Sequence, residues 1–197
     1  MRESIRKGES TKQRILTEAL ELTSMVGVEG LSLGELAKKT EMSKSGLFAH
    51  FDSKESLQLE VLETAAARFI ESVISPALLE PRGEPRLRAL FERWIGWETL
   101  RDGGCPFMAA AFELDDRPGP VRDALAASQR DWLATLARAI SIAVEEGHFR
   151  KDLDADQIAF EVYGVFMTFH LHQRLLGDAY ARTRAKAALD RLLDCAR

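Results

Sequence analysis

Residues 42–51 divide into two faces when they are placed on a helix. The apolar members share one side, at spacings that bury them together: Met42, Leu47 and Phe51. The small and polar members fall on the other side: Lys44, Ser45, Ala49 and His50. A flat face of short hydrogen-bond donors is the kind of surface that enters the major groove of DNA. The segment therefore predicts a nucleic-acid-binding helix.

The residues just upstream predict the elements that position this helix. Ser32 is suited to cap a short helix. The buried side of that helix carries three apolar residues: Leu33, Leu36 and Ala37. Residues 40–42 form a turn, and Ser43 is a plausible N-cap for the helix that follows. Together these signals predict a helix-turn-helix over residues 32–51.

The rest of the chain shows helical periodicity and no strand alternation. A first helix is predicted to start at a capping box, Ser10 to Gln13, and to stop at Gly27. A long helix starts near Asp52 and ends before Pro76. Further helices are predicted over about 85–101, 105–114, 120–147, 155–176 and 183–196. The sequence therefore predicts an all-α protein of about nine helices.

Charge must be placed locally if this chain binds DNA, because the whole chain is not basic. Its 197 residues carry a net charge of −4. Residues 1–52 hold eight Lys/Arg and eight Asp/Glu, and residues 53–197 hold nineteen and twenty-three. A DNA-binding face therefore depends on where a few basic side chains lie.

Composition also bounds the class of protein. The apolar content of 46% is enough to bury a core. The two cysteines, Cys105 and Cys195, form neither a disulfide framework nor a metal pattern. No stretch approaches the roughly 18 apolar residues of a membrane span, and the N-terminus has no apolar secretory region. We expect a soluble cytoplasmic protein with no metal and no cofactor.

A longer pattern surrounds the helix-turn-helix. It comprises Ile15, Leu16, Ala19, Gly27, Gly30, Leu31 to Leu33, Leu36, Ala37, Ser43, Lys44, Gly46 to Phe51, and Lys54 to Leu57. This pattern resembles the N-terminal domain of the TetR family of bacterial transcription regulators. The segments 103–107 and 115–120 resemble one branch of the family's C-terminal domains. The resemblance implies a DNA-binding domain over residues 1–56 and an effector-binding and dimerisation domain over residues 57–197.

The resemblance also implies which residues contact an operator. Seven would face the DNA: Ser43, Lys44, Ser45, Gly46, Phe48, Ala49 and His50. Ser32 and Lys54 would hold phosphates at helix N-termini. A basic arm would reach phosphates or an adjacent groove: Arg2, Arg6 and Lys7. Lys44 and His50 either read base edges or touch only phosphate. Phe48 stands where the family usually has tyrosine, so a hydroxyl that could donate to a phosphate is missing.

Bulky apolar residues after residue 85 predict an effector pocket, again by resemblance. The pocket residues would be Trp94, Trp97, Phe107, Met108, Phe112, Trp132, Tyr163, Phe166, Met167 and His170. The effector would be a small, partly apolar molecule. For any single residue, ordinary core packing is the alternative. Tyr163 and His170 lie near two turns apart and could supply polar contacts, but His170 could equally be a satisfied core histidine.

These expectations give a homodimeric, ligand-responsive transcriptional regulator, most simply a repressor of a near-palindromic operator. The last two helices carry more apolar residues than one thin subunit is expected to hide: Val162, Val165, Phe169, Leu189, Leu192 and Leu193. We therefore expect them to pair with their copies in a four-helix bundle. The partners would be operator DNA, a small effector and a second copy, with no membrane.

Two other functions stay open at this level. The chain could be an activator, or a regulator that responds to a protein partner. More remotely, it could be a helical enzyme acting on a small molecule through Tyr163 and His170. No serine elbow of the GxSxG type occurs, and we expect no enzyme. Cys105 follows two glycines and is either reactive or a small buried apolar residue.

Overall fold

The computed structural model describes the backbone of residues 2–100 and 102–197, and the side chains from residue 9 onward within those ranges. In these ranges the chain forms nine helices and no strand, which confirms the all-α prediction. They are α1 (Arg2–Val26), α2 (Leu33–Lys39), α3 (Lys44–Phe48), α4 (Lys54–Phe69, continuing through Ile70–Ile74 and Ser75–Ala77), α5 (Glu84–Thr99), α6 (Pro106–Leu114), α7 (Pro120–Glu145), α8 (Ala155–Arg174) and α9 (Ala181–Ala196).

Side-chain caps start three helices where the sequence predicts them. The Ser32 hydroxyl accepts from the Glu35 amide, and the Ser43 hydroxyl accepts from the Gly46 amide at 3.0 Å. Asp154 Oδ1 accepts from the amides of Asp156 and Gln157, both at 3.0 Å. Each cap satisfies backbone donors that the first helical turn leaves without an intrahelical partner.

The predicted start of the first helix was wrong. Helix α1 begins at Arg2, so the capping box at Ser10 lies inside it. The reason is that residues 2–9 contain no proline, and a capping box does not by itself prevent a helix from continuing upstream. The side chains of the predicted basic arm, Arg2, Arg6 and Lys7, lie outside the described residues.

The predicted end of the fourth helix was also wrong. Helix α4 does not stop before Pro76, because a π-helical turn over Ile70–Ile74 leads into a last short turn, Ser75–Ala77. A π-helical turn widens the backbone and shifts its hydrogen bonds by one residue. The widened turn therefore lets the helix absorb a proline that lacks an N–H.

Two compact units divide the chain. One consists of residues 1–68 and 101–126, and the other of residues 69–100 and 127–197. In the first unit α1 packs against α2 and α6, and α2 packs against α3. In the second unit α8 packs along α9. These units are defined by packing, whereas the predicted division at residue 56 separates functions, and it stays a prediction.

The structure has no helix among the described residues that is long and apolar enough to cross a membrane.

Candidate DNA-binding and effector-binding sites

Helix α3 is short and is fixed from its buried side. Leu47 is fully buried and Phe51 nearly so, which anchors the segment in the core of the first unit. The preceding turn is held by Thr40, whose buried hydroxyl donates to the Leu36 carbonyl oxygen at 2.7 Å. Glu41 in this turn has φ = +56°, a left-handed conformation that reverses the chain between the two helices. The predicted turn is therefore confirmed.

The other side of α3 is open to solvent. All seven residues predicted to face DNA are at least partly accessible to solvent. Phe48 is 49% exposed. The other six are exposed or half-buried: Ser43, Lys44, Ser45, Gly46, Ala49 and His50. A Cβ at Gly46 would lie 3.2 Å from the Ser43 hydroxyl, so glycine lets the cap close tightly. The structure thus gathers the predicted residues on an exposed surface, and their contacts with DNA stay a prediction.

Lys54 has a partner that the sequence did not suggest. Its Nζ donates to the Glu29 carbonyl oxygen at 2.7 Å, so one of its three N–H donors is used inside the protein. The Gln58 side chain, buried on the next turn, donates to the Val28 carbonyl oxygen at 2.8 Å. Both contacts hold the loop between α1 and α2. Lys54 is therefore a loop-fixing residue as well as a predicted phosphate ligand.

The same loop is bound by a second residue that sequence reasoning missed. The Glu113 carboxylate accepts from the amides of Val28 at 2.7 Å and Glu29 at 2.9 Å. Glu113 is the one charged residue of α6, whose sequence is PFMAAAFEL. That isolated charge was the available signal, but nothing in the sequence indicates its partner 85 residues away.

The second unit has an aromatic core. The Trp94 and Phe166 rings stack with centroids 4.2 Å apart, and the Trp132 and Phe69 rings meet edge to face at 4.9 Å. Phe69 also meets Trp97 edge to face at 5.4 Å. The buried Nε1 of Trp132 has no hydrogen-bond partner among the residues that the structure describes. A buried donor of this kind is costly, and a ligand carrying an acceptor would relieve that cost.

Two polar pairs join α8 to the neighbouring helices α5 and α7. His170 Nδ1 is 2.8 Å from Oε1 of Glu98, and the Tyr163 hydroxyl donates to Oε1 of Gln129 at 2.7 Å. His170 is thus a histidine satisfied by a carboxylate. Sequence reasoning missed Glu98 and Gln129 because they lie 72 and 34 residues from their partners.

The predicted pocket residues are divided between the two units. Seven belong to the second unit: Trp94, Trp97, Trp132, Tyr163, Phe166, Met167 and His170. Phe107 and Met108 are buried in the first unit. Phe112 also belongs to the first unit, and its ring is 64% exposed. The aromatic rings of the cluster described above all belong to the second unit.

An apolar groove of about 640 Å³ runs along α8 and α9. Its lining includes Val165, Thr168, Ala188, Leu192 and Cys195. Other apolar residues are exposed outside this lining, two in α8 and one directly after it: Phe160, Leu171 and Leu175. The expectation that six named residues exceed what one subunit hides needs correction. Four of those six are buried within the chain itself, because α8 and α9 turn them toward their own unit: Val162, Phe169, Leu189 and Leu193.

Two family models match the chain. Residues 15–61 match "Bacterial regulatory proteins, tetR family", and residues 83–189 match "Tetracyclin repressor-like, C-terminal domain". The chain belongs to the TetR family. It is therefore a DNA-binding transcriptional regulator of a family whose members respond to ligands.

Relatives of known role match most of this TetR-family chain. The HTH-type transcriptional repressor DhaR of Mycobacterium sp. (strain GP1) is 26% identical over 151 residues, which span 75% of this chain and 74% of DhaR. The HTH-type transcriptional regulator TcmR of Streptomyces glaucescens is 31% identical over 160 residues, spanning 77% of this chain and 66% of TcmR. The chain thus spans about two thirds to three quarters of these relatives.

Solved structures of TetR regulators share the fold. A TetR transcriptional regulator from Chloroflexus aurantiacus J-10-FL has a TM-score of 0.85 at 24% identity, covering 96% of this chain and 95% of its own. AibR, solved in complex with isovaleryl coenzyme A and operator DNA, has a TM-score of 0.76 at 24% identity, covering 93% and 98%. At these identities the likeness concerns the fold alone.

Proposed function

We propose that this TetR-family chain is a homodimeric repressor that binds a near-palindromic operator and is released by a small, partly apolar effector. The observation that carries the proposal is the exposed face of α3, which is capped by Ser43 and anchored by buried Leu47. DhaR, a relative over three quarters of this chain, is a repressor. Residues 1–56 form the DNA-binding part of the proposal, and residues 57–197 form the effector-binding and dimerisation part.

Dimerisation in this proposal uses the groove along α8 and α9. Val165 and Leu192 remain partly exposed there, beside the small residues Gly164 and Ala188. A second copy packing on the same face would form a two-fold interface, in which each subunit fills the groove of the other. Two α3 helices would then read half-sites separated by about one helical turn of DNA or a multiple of it.

The effector in this proposal binds among the aromatic rings of the second unit. The buried N–H of Trp132, which has no acceptor in the part of the chain that the structure describes, favours a ligand with an acceptor such as a carbonyl oxygen in an otherwise apolar body. Such a ligand releases the operator only if it binds the DNA-incompetent state more tightly. In that state the two recognition helices no longer match both half-sites.

Operator selection from a random duplex library tests the proposal. We expect the wild-type protein to select a near-palindromic sequence. Lys44→Ala should weaken binding to that duplex and, if Lys44 contacts phosphate, reduce the slope of log K against log salt by about 1.8, because the dimer loses two phosphate contacts. If Lys44 reads a base, the same variant should also relax the preference at one base pair per half-site, by about 1–3 kcal/mol.

Lys151→Ala is the matched control, because it removes one exposed positive charge from the second unit. It should bind as the wild type does. The proposal would be contradicted if the wild-type protein enriched no sequence. It would also be contradicted if a single subunit, and not two, bound the whole operator.

A further inference from the structure

The loop between α1 and α2 starts with two backbone amides that no helix uses. Gly27 ends α1 with φ = +81°, and its own N–H donates to the Thr23 carbonyl oxygen at 2.9 Å. The next two N–H groups belong to Val28 and Glu29. Both donate to the Glu113 carboxylate, one to each oxygen, at 2.7 and 2.9 Å. One carboxylate thus receives two consecutive backbone donors, and hydrogen bonds to an ionised acceptor are the stronger kind.

The carbonyl groups of the same two residues are bound from α4. Gln58 Nε2 donates to the Val28 carbonyl oxygen at 2.8 Å, and Lys54 Nζ donates to the Glu29 carbonyl oxygen at 2.7 Å. Residues 28 and 29 therefore have both their N–H and C=O groups bound by side chains. The N–H groups are held by α6 and the C=O groups by α4.

Side-chain contacts of Glu29 add to this arrangement. Its Oε1 is 3.2 Å from Gln58 Nε2, and its Oε2 is 3.6 Å from Arg117 Nη1, just beyond α6. A Cβ at Gly27 would lie 2.7 Å from both Glu113 carboxylate oxygens, so any larger residue there would require the carboxylate to move. We call the contacts of Glu113 with the amides of Val28 and Glu29 the loop clamp.

The two sides of the loop clamp come from different parts of the family pattern. Val28 and Glu29 lie in the segment that matches the N-terminal DNA-binding model, residues 15–61. Glu113 lies in the segment that matches the C-terminal model, residues 83–189. All three residues nevertheless belong to one compact unit. Helix α6, which carries Glu113, is anchored by four buried apolar residues: Phe107, Met108, Ala110 and Leu114.

We infer that Glu113 is a positioning residue for operator binding: its carboxylate fixes the loop from which α2 and then α3 start. The DNA-binding role follows from family membership, and the operator duplex used to test it rests on the proposed function. Ser32, only three residues beyond Glu29, caps α2, so a shift of the loop moves the start of the helix-turn-helix. Glu113 contacts the loop through backbone groups, and its role therefore does not depend on the loop side chains.

Amide hydrogen exchange and operator affinity, measured on the same variants, test this inference. In Glu113→Ala we expect the Val28 and Glu29 amides to exchange at least about tenfold faster, because each loses its acceptor. Affinity for a fluorescein-labelled duplex selected by the wild-type protein should fall about five- to tenfold. The salt dependence of binding should not change, because Glu113 touches no phosphate. Glu113→Gln keeps one acceptor oxygen and should give an intermediate loss.

Glu18→Gln is the matched control, since Glu18 in the same unit pairs with Lys39 at 3.2 Å and lies away from the loop clamp. It should leave both amides and the affinity unchanged. Faster exchange with wild-type affinity in Glu113→Gln would overturn the positioning role, and so would lower affinity with unchanged exchange. If the wild-type protein selects no duplex, the proposed repressor function fails, and exchange at Val28 and Glu29 still decides whether Glu113 holds the loop.

Discussion

His170 Nδ1 lies 2.8 Å from Oε1 of Glu98, whose side chain is completely buried. The histidine comes from α8 and the glutamate from the last turn of α5, among the aromatic rings of the second unit. A buried carboxylate is tolerated where hydrogen bonds to it replace those of water. The pair therefore ties α5 to α8 beside the proposed effector site.

Replacing His170 should destabilise this unit. His170→Ala removes a hydrogen bond to a buried carboxylate, and we expect the free energy of unfolding to fall by about 1–3 kcal/mol. Urea unfolding monitored by tryptophan fluorescence measures the change. His172→Ala is the control, because the His172–Asp178 pair is more exposed to solvent than the His170–Glu98 pair. This variant should lower the free energy of unfolding by about 1 kcal/mol or less. Equal losses in both variants would contradict a special role for the buried pair.

Phe48→Tyr should strengthen operator binding. Phe48 is 49% exposed on the surface that we propose faces the operator, so an added hydroxyl has access to solvent and, in the proposed complex, to a DNA phosphate. One hydrogen bond in each subunit, at about 1 kcal/mol net, gives about 2 kcal/mol for the dimer, which corresponds to roughly thirtyfold tighter binding. Sequence preference should not change, because phosphate contacts carry no sequence information.

Fluorescence anisotropy with the selected duplex and with single-base variants of it checks both parts of this prediction. Phe51→Tyr is the contrasting variant, since the Phe51 ring is buried and a hydroxyl there should destabilise the fold without improving affinity. Weaker binding by Phe48→Tyr would mean that the bound complex packs the ring where no hydroxyl fits.

Local features of this fold follow from the sequence. The caps at Ser32, Ser43 and Asp154 act on amides two or three residues away, so a short pattern contains the whole interaction. Helical periodicity likewise separates buried Leu47 from its exposed neighbours. The helix-turn-helix and the all-α class were therefore predictable from residues alone.

Long-range pairs were not predictable, because they depend on how helices pack. Glu113 and Val28 are 85 residues apart, and His170 and Glu98 are 72 residues apart. Periodicity shows that Val162 and Leu193 lie on apolar faces, but it does not tell whether such a face packs on its own subunit or on another. The structure decides this by burying both within the chain.

Acid should weaken the second unit partly through Asp178. The hydrogen bond from His172, with further bonds from the Tyr180 amide and Arg184, holds the pKa of Asp178 below its ordinary value. A lowered pKa in the folded state means that the unfolded chain binds the proton more readily. The resulting stability is present above the unfolded-state pKa and is lost as pH falls through the folded-state pKa.

Asp178→Asn should therefore flatten the acid limb of stability against pH. Thermal unfolding across acidic buffers measures this, with Asp131→Asn as a control at an exposed aspartate of α7. The control should keep the wild-type acid limb. An Asp178→Asn profile that parallels the wild type would show that its ion pairs do not contribute to acid sensitivity.

Val165→Glu should separate the proposed dimer. Val165 lines the groove along α8 and α9, where a second copy would cover it, and a carboxylate buried there without a partner is costly. Sedimentation velocity should show the wild type as a dimer and Val165→Glu as a monomer, with affinity for the palindromic duplex falling at least about tenfold, because one subunit reads only one half-site. Leu79→Glu introduces the same charge at a side chain that is 86% exposed outside the groove and should remain dimeric. A dimer that survives Val165→Glu at low concentration would require a different interface, and the two α3 helices would then need a spacing other than the one that this face provides.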